Sequence, residues 1–321
     1  MNLAVCLLAY TTIVAVLGPA LLHRATLDGA APRLAVTAWL AAMASVLVAW
    51  MAALALFAIQ SIQSWGQLGR VLTGCLAGLR MVVLGGYGDA LQITVVMLAA
   101  LASLAVLILG ARAAIGLRLS RRGTNDHLRA ARIAASDCPP GPGGALVIES
   151  RRRAVYCLAG RPPTIVITRA ALQALDDSQL AAVISHEQAH LKGRHHMVLA
   201  VTSVLSRVLS RLRLFTDGAR EVARLLEMCA DDAAARRHSA DAVVDALLAL
   251  ALPSPMLTPA VAVPAPALSA AGSGVAQRVE RLLFPPAKLR ARITLSLATS
   301  AVLLGPVVAA SLLIAVPTLC I

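Results

Sequence analysis

Residues 186–190 read His-Glu-Gln-Ala-His, the H-E-x-x-H pattern of a metal site. On a helix, residues four apart lie on one face, so His186 and His190 would present two imidazoles to one ion. In a catalytic site Zn²⁺ takes three protein ligands and keeps a fourth position for water, whose pKa it lowers to about 7. Glu187 would be the general base that takes a proton from this water as it attacks a carbonyl. The pattern therefore predicts metal-assisted peptide hydrolysis.

The third metal ligand has two candidates. Glu227 and Asp231 are four residues apart on a second predicted helix. There Glu227 could complete the site, and Asp231 could hydrogen-bond a ligand His and fix its tautomer. Alternatively, Gly193 and His196 complete the longer pattern H-E-x-x-H-x-x-G-x-x-H, in which His196 is the third ligand. We favour Glu227, because proteins with the longer pattern are typically secreted and this segment is expected in the cytoplasm.

Several predicted elements must position these residues. Asp176, three residues before Gln179, forms a capping-box start for the helix that carries the motif. Before it, three Val- and Ile-rich runs broken by Arg, Gly and Pro predict a small antiparallel sheet over 145–148, 154–158 and 164–168. Further helices are predicted over 196–214, 217–238, 241–252 and 277–284, and residues 253–274 read as a flexible linker.

The composition places these elements in a membrane protein. The chain has 321 residues, of which 59% are hydrophobic and 14% charged, with a mean hydropathy of +0.78. Soluble domains are about 45–50% apolar and about 25% charged, so an ordinary soluble enzyme, a disordered chain and a fibrous protein are excluded. The six cysteines are scattered without a C-x-x-C pair, which excludes a disulfide scaffold and a Cys-type zinc site.

Four uncharged runs are long enough to cross a bilayer: 3–22, 34–61, 91–111 and 293–321. Between the third and fourth, residues 112–292 carry 25 Lys and Arg against 14 Asp and Glu, hence +11 of the net charge of +13. The positive-inside rule therefore places this domain in the cytoplasm and both termini outside, in a multi-pass protein of the bacterial plasma membrane. Residues 62–90 are ambiguous, and we expect an interfacial or re-entrant helix there, since a further span would invert the topology.

The basic residues at the edges of the domain indicate anchoring to a surface of anionic lipid. Direct nucleic-acid binding is not expected, because no aromatic interleaving or known motif accompanies them. The Ala- and Gly-rich faces of the spans allow a homo-oligomer.

The sequence resembles a known family in three stretches: 154–194, 227–237 (EMCADDAAARR) and 277–283 (QRVERLL). These look like the BlaR/MecR-type integral-membrane zinc metallopeptidases, with HtpX- and Ste24-type peptidases as more distant relatives. The resemblance implies a mainly α fold, in which an α+β zincin-like domain at 112–292 is inserted between three spans in 1–111 and a fourth in 293–321. It implies His186, His190 and Glu227 as Zn²⁺ ligands, Glu187 as the base and Asp231 as support.

The sequence also departs from these relatives. No room follows the last run for the penicillin-binding sensor domain of the BlaR/MecR proteins, so direct sensing of β-lactams is not expected. The group that stabilises the oxyanion is unassigned, with Tyr156, His238 and Arg278 as candidates that have plausible structural roles.

We therefore expect a membrane zinc endopeptidase in regulatory signalling, with a repressor of the BlaI/MecI kind, or the peptidase itself, as its substrate. The alternatives are an HtpX-like quality-control protease and a non-catalytic zinc-binding scaffold.

Overall fold

The computed structural model describes residues 3–64, 87–160, 162–251 and 274–315 and is mainly helical. In chain order its elements are α1 (Leu3–Thr26), α2 (Pro32–Ser64), α3 (Tyr87–Ala134), β1 (Leu146–Ile148), β2 (Val155–Leu158), β3 (Thr164–Thr168), α4 (Arg169–Ala174), α5 (Asp177–Lys192), α6 (His195–Val208), α7 (Arg213–Ala235), α8 (Ala240–Ala251), α9 (Val275–Leu283) and α10 (Lys288–Ala315).

Helices α1 and α2 contain the two segments, within the described residues, that are long and apolar enough to cross a membrane: Cys6–Thr26 and Pro32–Leu56. Large apolar side chains point outward from both helices, and Val16, Leu21 and Val48 are each more than 60% exposed. In water such exposure would be unfavourable, whereas lipid tails can cover it. The two helices thus suggest a membrane association.

The third and fourth expected spans fall on α3 and α10, and the four-span arrangement stays a prediction. Helix α3 continues from Tyr87 to Ala134, well beyond the predicted limit at Ala111. Arg is a good helix former, so the change from apolar to charged residues ends the hydrophobic run without ending the helix. Most of the predicted interfacial segment 62–90 and nearly all of the linker 253–274 lie outside the described residues.

The larger core joins α2 to α7. Trp39 and Met43 of α2 pack against Leu214, Phe215 and the following turns of α7, and these four side chains are almost fully buried. A side chain at Gly218 would overlap Met43 and Trp39, so the two helices approach closely where α7 has no Cβ. Helix α7 begins at Arg213, earlier than the predicted Asp217, and its first-turn residues Leu214 and Phe215 belong to this core.

Helix α10 packs on the same group of helices, since Leu295 belongs to this core and the Tyr10 hydroxyl of α1 donates to the carbonyl of Val302 at 2.6 Å.

A second core lies between the sheet, α4, α5 and α8, around Ile167, Ala171, Leu180 and Ala246. The strands are ordered β1-β3-β2. The predicted antiparallel sheet is correct for β2 with β3 but wrong for β1, which pairs with β3 in parallel. The chain crosses from β1 to the far side of β3 before it returns, so β1 and β3 run in the same direction, and hydrophobic runs alone do not specify that crossing.

Candidate metal centre

Helix α5 begins with the predicted capping box. The Asp176 carboxylate accepts from the backbone N–H of Gln179 at 2.8 Å, and the Gln179 side chain accepts from the backbone N–H of Asp176 at 3.2 Å. These two bonds satisfy N–H groups that a helix start otherwise leaves open. They fix the helix start from which His186, Glu187 and His190 follow on the third and fourth turns.

Glu227 of α7 meets the two histidines of α5. The Nε2 atoms of His186 and His190 are 3.1 Å apart. One carboxylate oxygen of Glu227 lies 3.5 Å from His186 Nε2, and the other lies 3.4 Å from His190 Nε2. One ligand atom from each residue therefore lies at a corner of a small triangle, within the 4.8 Å that one ion can bridge.

The size of this triangle fits a tetrahedral ion. Ligands at about 2.0–2.1 Å from Zn²⁺, separated by the tetrahedral angle, lie about 3.3 Å from one another. The Nε2–Nε2 separation of 3.1 Å and the nitrogen–oxygen separations of 3.4 and 3.5 Å, each to a different oxygen of Glu227, lie close to that length. The arrangement is thus compatible with two nitrogen ligands and one carboxylate on a single ion, with the fourth position left for water.

The other ring nitrogens of both histidines have partners. Asp231, one turn after Glu227, is fully buried and places Oδ1 3.1 Å from His186 Nδ1. His195, the first residue of α6, places its Nδ1 2.9 Å from His190 Nδ1. When each ligand histidine donates its Nδ1–H to its partner, the Nε2 lone pair faces the centre of the triangle, as metal binding requires.

Arg278 of α9 holds the two carboxylates of α7. Its Nε and Nη2 donate to the two oxygens of Asp231 at 2.7 and 2.6 Å, and its Nη1 lies 3.2 Å from Glu227. Such a two-point contact fixes the carboxylate plane as well as its position. Because its guanidinium nitrogens are committed to Asp231 and Glu227, Arg278 orders the ligand set in this structure.

Electrostatics in the buried site separate the roles of its acidic groups. Burial raises the pKa of Glu187 to about 7, although an interaction with the Cys157 thiol of β2 partly opposes this rise. For Glu227 and Asp231, burial also favours the neutral form, but contacts with His186 and Arg278 outweigh it and lower both pKa values. Glu187 is therefore the carboxyl poised to exchange a proton near neutral pH, while the other two stay ionised.

The histidines also differ. Burial opposes the charge on His186, but its hydrogen bonds to Asp231 and Glu227 outweigh that cost and raise its pKa. Burial lowers the pKa of His190. Metal binding would displace the proton of His186, because a ligand nitrogen must be unprotonated.

The other sequence candidates lie apart from the triangle. His196 is exposed at the start of α6 and does not belong to the cluster of possible ligands. Tyr156 pairs its hydroxyl with His127 of α3 at 3.3 Å. Its strand neighbour Cys157 faces Glu187, as expected for side chains that alternate across a strand. His238 is exposed just beyond α7.

Sequence reasoning missed two residues of the site, His195 and Cys157. The contact of His195 with His190 depends on the turn at Gly193 and Arg194. There Gly193 has ordinary helical torsions, while Arg194 takes a φ of 50°. A Cβ on Gly193 would overlap the His195 ring, so this glycine is needed for close approach. Strand alternation could have pointed to Cys157, but only once the packing of β2 on α5 was known.

Comparison with known proteins gives one match. The profile of peptidase family M48 matches residues 129–282, a stretch that contains the three possible ligands, Glu187, Asp231 and Arg278. No curated protein and no solved structure matches the chain. The match supports a relation to the HtpX- and Ste24-type peptidases and a metallopeptidase function.

Proposed function

We propose that the protein is a zinc endopeptidase of the bacterial plasma membrane, whose active site faces the cytoplasm. The observation that carries the proposal is the triangle of His186, His190 and Glu227, with Glu187 buried beside it. Its size suits Zn²⁺, and two imidazoles with one carboxylate are a ligand set that Zn²⁺ accepts in hydrolases.

The residues divide the work of peptide hydrolysis among them. A bound Zn²⁺ supplies a Lewis acid that activates water and polarises the scissile carbonyl. Glu187 takes the proton of the attacking water and passes it to the leaving amine. Because the pKa of Glu187 is raised to about 7, this carboxyl can both accept and donate a proton near neutral pH. Asp231, Arg278 and His195 keep the ligand side chains in one tautomer and one orientation.

We place the protein in regulatory signalling, where it would cleave a repressor of the BlaI/MecI kind, itself, or both. The bilayer is its expected partner through α1, α2 and the two predicted further spans. Binding to DNA would then be the task of the repressor, and a homo-oligomer would form through the helices in the bilayer.

A second candidate function is quality control of membrane proteins. The M48 match supports a relation to the HtpX-type peptidases, for which we expected this role, and it does not distinguish quality control from signalling. The two roles differ in the number of substrates. Comparison of the proteins that accumulate in cells with the intact enzyme and with a Glu187→Gln enzyme distinguishes them: one stabilised repressor supports signalling, and many misfolded membrane proteins support quality control.

A third candidate, a scaffold with a closed structural zinc site, is disfavoured by Glu187. A structural site has no use for a buried, ionisable carboxyl beside its ligands.

The test of the proposed function combines zinc content with cleavage of labelled casein by the purified full chain. We expect Glu187→Gln to keep its zinc and to lose about 10²–10⁴-fold in rate, the usual contribution of a general base. We expect Glu227→Gln to lose zinc and activity together. The control is His196→Ala, which should keep both.

A Glu187→Gln enzyme with unchanged activity would refute the mechanism. Loss of zinc from His196→Ala alone would replace Glu227 with His196 as the third ligand.

A further inference from the structure

A cavity of about 580 Å³ lies behind the metal centre, on the side of His190 that faces away from Glu227. It is open to solvent on one side and is bordered by the first turn of α2, the end of α5, the start of α6 and the end of α7. His195 belongs to its wall and also contacts His190, so the cavity and the metal centre share one side chain.

The charged side chains around the cavity are all basic: Arg33, Lys192, Arg236 and Arg237. Among the described residues that line it, none is acidic. The carboxylate of Asp232, one turn before Arg236, is bound by Arg281 at 2.6 Å and does not neutralise the group. Like charges that converge on one space repel each other unless an anion enters it.

These four cationic side chains are also available to bind an anion. Within the described part of the chain, Arg33, Lys192 and Arg236 form no ion pair, and Arg237 has a long contact of 3.5 Å with the Ser185 hydroxyl. By contrast, Arg278 and Arg281 of the neighbouring helix α9 are both paired with carboxylates.

Favourable interactions with helix dipoles do not explain the positions of all four basic residues. Lys192, Arg236 and Arg237 lie at the ends of α5 and α7, where a positive side chain is favourable. Arg33, however, lies in the first turn of α2, where the same dipole disfavours a cation. The start of α6 also borders the cavity, and its N-cap makes no side-chain bond to the open N–H groups. The starts of α2 and α6 and four cations thus border one space, as in sites that bind phosphate, and the cations at the ends of α5 and α7 offset the negative ends of those two helices.

The position of Arg33 favours a lipid as the source of such a phosphate. Arg33 follows Pro32, the first residue of the segment of α2 that is long and apolar enough to span a bilayer. The ends of such segments lie at the level of lipid headgroups. Val36, Val198 and Leu226 add an apolar wall that suits the glycerol and upper acyl carbons of a lipid.

We propose that this cavity binds the phosphate headgroup of an anionic phospholipid at the membrane surface. The proposal goes beyond the peptidase activity and rests on the membrane association of α1 and α2. It differs from general attraction between a basic protein and a membrane because it names one cavity and one stoichiometric lipid.

The test measures binding of dihexanoyl phosphatidylglycerol to the full chain in neutral detergent, by calorimetric titration. The cavity variant is Lys192→Gln/Arg236→Gln/Arg237→Gln. The control variant is Arg121→Gln/Arg122→Gln/Arg132→Gln, which removes the same charge from exposed positions of α3 outside the cavity. Dihexanoyl phosphatidylcholine and inorganic phosphate are the comparison ligands.

We expect one phosphatidylglycerol per chain in the unmodified protein and the control variant, and at least tenfold weaker binding in the cavity variant. Equal weakening in both variants would show diffuse attraction and overturn the proposal. Inorganic phosphate that binds as tightly as the lipid would make this a site for soluble phosphate, which also overturns it. If the triple cavity variant does not fold, Lys192→Gln alone is used, and unchanged affinity in that variant counts against the proposal.

Discussion

His190 stands between two charged regions of the molecule. Its Nε2 faces the metal centre, 3.4 Å from Glu227, and its Nδ1 faces His195 and the basic cavity. In the metal centre, Asp231 and Glu227 are both paired with Arg278 and with His186. In the cavity, the basic side chains have no carboxylate partner among the described residues.

Exposure explains how both arrangements are stable. Asp231 is fully buried and Arg278 is 6% exposed, so an unpaired charge there would carry the full cost of lost hydration. Arg33, Lys192, Arg236 and Arg237 are exposed, and water solvates them. Pairing is therefore a requirement of the fold in the metal centre, whereas the unpaired cations of the cavity are available for a ligand. Substitutions should affect stability in the first region and ligand binding in the second.

The largest effect on stability is expected for Arg278→Met. It removes the partner of a fully buried carboxylate and should lower the free energy of unfolding by about 3–5 kcal/mol. Chemical denaturation of the metal-free protein in detergent measures it. The double variant Arg278→Met/Asp231→Asn is the control, since it removes both charges and should recover part of the loss. A stability change below about 1 kcal/mol in Arg278→Met would mean that water already reaches Asp231.

The Arg278–Asp231 pair also marks the limit of what the sequence could predict. The capping box at Asp176 and the one-turn spacing of His186 and His190 are local, so the pattern of residues predicted them correctly. The partner of Asp231 lies 47 residues away on another helix. No local spacing encodes that distance, and Arg278 was considered for the oxyanion instead.

The choice between Glu227 and His196 could not be made from spacing for the same reason. His196 is close in sequence, but the turn at Gly193 and Arg194 starts a new helix that leaves it exposed. Glu227 is far in sequence, yet the packing of α7 against α2 and α5 brings it to the histidines. Most of the helices were thus readable from the sequence, whereas the set of residues that meet at the site depended on how those helices pack.

A smaller effect is expected from acid. The contacts of Asp231 hold its pKa below its unfolded value of about 3.9, so its charge stabilises the fold above that pH. This contribution disappears as the pH falls through the folded-state pKa. The free energy of unfolding of the metal-free protein should therefore decrease below about pH 4.

The acid dependence distinguishes the two regions. Asp231→Asn should flatten the decrease, although Glu227, whose pKa is also lowered, keeps part of it. The cavity variant Lys192→Gln/Arg236→Gln/Arg237→Gln should keep the whole decrease in the free energy of unfolding, because it removes no carboxylate. A flattened curve in the cavity variant would mean that the two regions share their electrostatics more closely than the contacts indicate.

The smallest effect is expected for Lys192→Gln in the absence of lipid. Lys192 is exposed, and its loss from the end of α5 removes a favourable interaction with the helix dipole but also relieves repulsion from Arg236 and Arg237. The two changes oppose each other, so the free energy of unfolding should shift by about 0.5 kcal/mol or less. Thermal unfolding without dihexanoyl phosphatidylglycerol measures the effect of the substitution on stability. The same measurement with the lipid reports binding, because a ligand stabilises only the protein that binds it. The lipid should raise the midpoint temperature of unfolding of the unmodified protein more than that of Lys192→Gln. A large loss of stability in Lys192→Gln without lipid would instead show that Lys192 stabilises the fold.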